Sequence, residues 1–363
     1  MTATRRKLLM TQSLRPTRLT TTLVGLGLIG LSATASAETT LNVVGSWSSL
    51  ELHRQFEKPF WSETLPAKSN GEIETQVTTH DQMGIAGSDV YRYLGDGLFD
   101  VGMTVADYTV GDAPALEGLD LPMMASDIES AQQVAGAFRP LAETTMNERF
   151  NSHVLAIVPY PAQVLFCNTP IDGIESLADK KVRASGRSTG EFIEALGAQS
   201  LNIAFNEVPG SLERGVIDCA VTGSLSGYSA GWHEVSSHLL ALPMGGWDYV
   251  ITAINLDKWN GLDNATQAQI QSSLDSEFVA PVWANARTET ARGIACLTGQ
   301  GECPLGDPAD MTLVRASDDD LARARQALEE KVLPAWASRV DDETRQAWNS
   351  SVGEIVGLTA TAP

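Results

Sequence analysis

Two kinds of periodicity succeed each other along the chain, one that suits strands and one that suits helix faces. Thr40 to Val44 reads as a strand closed by a Gly45-Ser46-Trp47 turn. Leu50, Leu52, Phe56, Phe60 and Trp61 follow at the spacing of one helix face. Glu72–Val77 and Phe99–Val105 predict two further strands, with a short helix at Ser88–Leu94 between them. Ser126 with Glu129 has the form of a capping box that opens a helix towards Arg139. Later strands are predicted at His153–Val158, Gln163–Cys167, Lys181–Ala184, Leu201–Ala204, Ile217–Val221 and Tyr249–Asn255, with helical stretches such as Gly190–Leu196 between them. Strands alternating with helices imply an α/β fold with largely parallel sheets.

After Asp263 and Asn264 the pattern lengthens. Ile270, Leu274, Phe278 and Val282 recur every four residues, and the periodicity runs towards Ile294. A helix of about 28 residues reaches roughly 42 Å, more than one small domain needs. It is therefore expected to lie across two units and to bend at Pro281. Asp319–Val332 and Asp342–Ile355 predict two closing helices.

The N-terminal residues do not fit this scheme. Arg5, Arg6, Lys7, Arg15 and Arg18 precede a short apolar run, Leu23–Leu31, and the small residues Ala35-Ser36-Ala37. Residues 1–37 therefore read as a cleavable export signal, by the general or the twin-arginine route. The run is well short of the roughly 20 residues needed to span a bilayer. Gly25, Gly27 and Gly30 match a dinucleotide-binding pattern, but inside the leader they lack the required strand and helix.

Length and charge narrow the function. At 363 residues the chain is long enough for two domains. With 25 Lys and Arg against 45 Asp and Glu, its net charge is −20. That balance opposes nucleic acid, whose binding depends on neutralising phosphates.

Several constellations suggest chemistry. Gly186-Arg187-Ser188-Thr189-Gly190 matches the nucleophile elbow of hydrolases, with Asp218 and His238 following in order. The competing reading is a glycine-rich turn whose Ser188 or Thr189 caps a helix. His233, Glu234 and His238 resemble a zinc helix motif, but the histidines are five apart instead of four, so they do not share a face. Cys296 and Cys303 enclose a Gly-rich loop and read as a local disulfide. Cys167 and Cys219 lie in predicted strands and read as buried free thiols in preference to an inter-strand bridge. Trp47, Trp232 and Trp247 stand beside glycines, either filling core gaps or lining a ligand cleft.

The segment from Asp172 to His238 resembles the solute-binding proteins of the tripartite ATP-independent periplasmic (TRAP) transporters. The resemblance rests on IESLADKKVRASG from Ile174, Leu196-Gly197-Ala198, FNEVPGSLERGVIDCAVTG from Phe205, and WHEVSSH ending at His238. Gly97 to Gly102 followed by Leu121-Pro122 extends it upstream. The chain departs from the family at Pro209-Gly210 and at Cys219, which stands where a glycine is usual.

The resemblance implies a two-lobed, periplasmic-binding-protein-like α/β fold with a ligand cleft between the lobes and a long helix spanning both. Residues 38–159 and 249–288 would form the first lobe, and 160–248 and 289–363 the second. It also implies a non-enzymatic receptor without cofactor, which delivers a small organic acid to a small and a large membrane subunit. A periplasmic sensor is the alternative to transport, and a secreted hydrolase using Ser188 the enzymatic alternative. By the same matching, Arg183 would grip the ligand carboxylate, for which a planar, permanently charged fork is suited. Phe205 and Thr222 would stand beside the ligand, with Trp47, Ser48, Met103 and Thr104 at strand ends around it and Trp247 as a further wall. Gln163 falls where some members carry a second arginine. A ligand with one carboxylate and a neutral or apolar remainder is therefore expected.

Overall fold

A computed structural model describes residues 39–363, and the expected export signal lies outside them. Eleven strands are seen among the described residues: β1 (Thr39–Gly45), β2 (Ile73–Thr79), β3 (Val101–Val105), β4 (Ser152–Val158), β5 (Gln163–Cys167), β6 (Lys181–Ala184), β7 (Gln199–Asn202), β8 (Cys219–Gly223), β9 (His238–Leu240), β10 (Val250–Asn255) and β11 (Thr312–Val314). They form two sheets, one in the order β2-β1-β3-β10-β4 and one in the order β11-β9-β5-β8-β6-β7.

The sheets are mixed, which corrects the expectation of largely parallel ones. β10 runs antiparallel to both β3 and β4, and β5 antiparallel to both β8 and β9. β5 is where the chain first enters the second sheet, and β10 is where it returns to the first. A parallel neighbour needs a long crossover, whereas an antiparallel strand accepts a short connection. The remaining pairs are parallel: β1 with β2 and β3, β6 with β7 and β8, β11 with β9.

The helix α1 (Ile128–Phe150) runs past the expected end at Arg139. In place of the expected capping box, a single N-cap lies one residue further on. Asp127, not Ser126, accepts from the backbone N–H of Ser130 at 2.8 Å, and Ser126 donates to Asp127. α2 (Arg187–Ala195) follows β6 directly, with Gly186 at its N-cap.

The long helix consists of α3 (Asn264–Leu274), a π-helical turn (Asp275–Val279) and α4 (Ala280–Thr298). Pro281 lies in the first turn of α4, just beyond the wide turn, where its missing N–H is tolerated. The helix packs on both sheet layers. Phe278 meets Phe60 at 5.9 Å on the first side. On the second, a Cβ at Gly293 would come within 2.4 Å of the Leu225 nitrogen, so only glycine permits this crossing.

Both cysteine pairs are disulfides, Cys296–Cys303 and Cys167–Cys219. The second overturns the free-thiol reading. β5 and β8 are adjacent, and their register sets Cys167 directly opposite Cys219.

Candidate functional site

A cavity of about 860 Å³ opens between the two sheet layers. Its walls are the residues that follow strand ends, where open α/β sheets place their ligands. The first layer supplies Trp47 after β1, His80 and Asp81 after β2, and Asp107 and Tyr108 after β3. The second supplies Arg183 and Gly186 at the end of β6, and Ile203 and Phe205 beyond β7.

Arg183 is only 2% exposed. Its Nε donates to the Ile203 carbonyl at 2.9 Å and its Nη1 to the Val221 carbonyl at 2.7 Å. Nη2 points at the Tyr108 hydroxyl oxygen, 3.5 Å away. Trp232 lies under the guanidinium, 5.9 Å from ring centroid to Cζ. Among the described residues it forms no ion pair within 4.0 Å. Carbonyl anchors fix the fork without neutralising it, which leaves a buried cation facing an open cavity.

Aromatic rings surround Trp47. Its ring stands edge-on to His80 at 4.6 Å, Tyr108 at 5.6 Å and Phe205 at 6.0 Å. Trp47 and Phe205 also border a small inner void of about 10 Å³ with Gln163, Thr222 and Asp248. There Gln163 donates its amide to the Pro161 carbonyl at 2.8 Å, and its Oε1 has no partner.

Burial shapes the titration of the site. It pushes Asp107 up to about 8, helped by the charges of Asp248 and Glu117 and opposed by Arg187 and Arg339. It pushes Asp248 up to about 7 against the pull of Arg183. Tyr108 is pushed up to about 12, again by burial with Arg183 opposing. His80 is held below the usual imidazole value, because burial disfavours its cation.

The expected residues thus divide. Arg183, Trp47 and Phe205 meet at the main cavity, while Gln163 and Thr222 meet at the inner void. Ser48 holds Asp81 instead, through its hydroxyl at 2.7 Å and its N–H at 3.1 Å. Thr104 and Met103 are fully buried in β3. Trp247 lines a different cavity of about 300 Å³ and donates its indole N–H to the Ala125 carbonyl. Asp107, Tyr108 and His80 had not been singled out, although position just after a strand end was the available signal, and Gly186 was noted only as part of the nucleophile-elbow pattern.

The other constellations do not assemble. Ser188 is buried and its hydroxyl has no partner, while His238 pairs with Ser237. Asp218 accepts from the Lys181 backbone. His233 stacks on Tyr228, and His238 lies on β9. No group of metal-ligating side chains is found among the described residues, and no helix there is long and apolar enough to cross a membrane.

The family model for DctP, the bacterial extracellular solute-binding proteins of family 7, matches residues 46–337. The chain belongs to this family. Family 7 proteins are transport receptors of the extracytoplasmic space. The ectoine-binding periplasmic protein TeaA of Halomonas elongata is 22% identical over 215 residues, 58% of this chain and 62% of that protein. A solute-binding protein of Sulfitobacter sp. strain NAS-14.1 is 23% identical over 212 residues, 57% of this chain and 63% of that protein. The chain thus matches less than two thirds of these curated relatives' length.

Solved structures give fuller coverage. DctP7 of Bordetella pertussis, a receptor binding pyroglutamic acid, superimposes with a TM-score of 0.77 at 16% identity, over 86% of this chain and 99% of that one. A TRAP solute-binding protein of Desulfovibrio salexigens with bound orotic acid gives 0.77 at 17% identity, over 87% and 99%. At that identity the likeness establishes the two-lobed fold of the family 7 chain.

Proposed function

We propose that this family 7 protein is the extracytoplasmic receptor of a TRAP transporter. It takes a small organic carboxylate into the cleft and delivers it to the membrane subunits. Residues 38–159 with 249–288, and 160–248 with 289–363, are the proposed lobes, and residues 1–37 the proposed export signal. The observation that carries the reading is the buried Arg183 guanidinium at the cavity wall, with no carboxylate within ion-pair distance. Such a charge is strongly stabilised by an anion that completes its hydrogen bonds. Support comes from the relatives: DctP7 binds pyroglutamic acid and the Desulfovibrio protein holds orotic acid, both carboxylic acids. The cavity volume lies within the range of small-molecule sites. A thermal-shift screen of organic acids tests this, because a ligand that binds only the folded chain raises its melting point. A screen in which amines and sugars stabilise the protein and carboxylates do not would refute the reading.

A further inference from the structure

Among the charged groups that line the main cavity, most already have partners. Arg187 pairs with Glu117 at 3.3 Å, and Glu191 with Arg339 at 2.6 Å. Asp81 accepts from Ser48 through both carboxylate oxygens. Glu194 is exposed and solvated. Two ionisable lining groups are both buried and without an ion pair: Arg183 and Asp107, at 2% and 5% exposure. Asp107 Oδ1 is sealed from solvent and accepts no hydrogen bond. The carboxyl packs on the backbone of Gly186, where a Cβ would come within 1.5 Å of Oδ2. Asp107 is therefore held at the cavity wall without an ion pair; Arg187 and Arg339, whose charges act on it, are committed to Glu117.

A monocarboxylate with an apolar remainder would satisfy Arg183 and leave Asp107 unsatisfied. We propose that the ligand is zwitterionic: Arg183 takes its carboxylate, and Asp107 with the rings of Trp47, Tyr108 and Phe205 takes a substituted ammonium or amidinium group. This rests on Arg183 as the carboxylate anchor and revises the neutral remainder expected from Gln163. A buried carboxylate gains a charge-assisted hydrogen bond or ion pair from such a group. Aromatic faces attract a cation that has shed its water. The elevated proton affinity of Asp107 fits a carboxylate that lacks its partner until the ligand arrives.

The test uses pairs of carboxylates that differ only in charge, such as trimethylammonioacetate and 3,3-dimethylbutanoate, in which nitrogen is replaced by carbon. Calorimetric titration of the wild-type protein with a panel of such pairs should show the charged members binding about tenfold or more tightly than their isosteres. Asp107→Asn should remove that preference, and Arg183→Ala should weaken both members of each pair. Isosteres lacking the cation binding as well as the ammonium-bearing members, or a folded Asp107→Asn with the preference intact, would overturn the zwitterion proposal. In that event loss of binding in Arg183→Ala would still uphold the carboxylate reading. A panel in which no carboxylate binds would overturn both.

Discussion

The Tyr108 hydroxyl oxygen and Arg183 Nη2 lie 3.5 Å apart, joining the end of β3 in one sheet layer to β6 in the other. The guanidinium therefore meets both walls of the cleft.

Arg183→Ala should leave the chain folded and weaken carboxylate binding by about thirtyfold or more, since removing one partner of a desolvated charged pair costs roughly 2–5 kcal/mol. Arg183→Lys should also bind weakly, because an ammonium cannot reproduce the fork that reaches Ile203, Val221 and the ligand together. Calorimetry and a melting curve on each variant check this. A variant that melts much lower yet binds normally would assign Arg183 to the scaffold alone.

Gly186→Ala should be strongly destabilising, because its Cβ would fall 1.5 Å from Asp107 Oδ2. Asp107→Ala in the same chain should restore much of the lost melting temperature. The double-mutant cycle should therefore be non-additive. Additive effects would mean that the two residues do not press on each other.

Stability should fall as pH rises through the neutral range. Asp107 and Asp248 are held up at about 8 and about 7, so the folded chain keeps protons that the unfolded chain releases near pH 4. More protons on the native state means that stability decreases with pH, from the unfolded value up to the folded one. His80 and His153, held low by burial, act in the opposite sense. Comparing Asp107→Asn with wild type cancels those terms. Melting temperatures from pH 5 to 8 should fall less steeply in the variant, and parallel profiles would refute this.

Alkylation of the denatured, unreduced protein should label no cysteine. Opening Cys167–Cys219, which spans 52 residues, should cost about 4 kcal/mol, and opening Cys296–Cys303, spanning 7, about 2 kcal/mol. Chemical denaturation of Cys167→Ala/Cys219→Ala and Cys296→Ala/Cys303→Ala pairs checks the order. The reverse order would show that strain or residual structure outweighs loop length.

Legibility differed from element to element for physical reasons. β5 and β6 were expected at their observed bounds, β5 as a short apolar run and β6 as an alternation of charged and apolar residues. β7 was expected at Leu201–Ala204 but lies at Gln199–Asn202. Its solvent-facing residues are polar and its apolar neighbours Ile203 and Ala204 belong to the cavity wall. β9 and β11 have three residues each, too few for a period to show. In the site, Arg183, Trp47 and Phe205 were found by resemblance. Asp107 was not, and Gly186 was noticed only within short motifs, because their mutual approach lies across the cleft, which no local pattern records. Trp247 drew notice through its neighbouring glycines, yet its indole is committed to Ala125.

The Cys167–Cys219 bridge closes a loop that contains β6, α2, β7 and Phe205, which is most of the second wall of the cavity. The capture surface and the covalent tie at its base are thus one topological ring. In a thiol-rich compartment the ring would be open and the wall held by packing alone. Oxidation thus fastens this wall covalently only in compartments where disulfides persist.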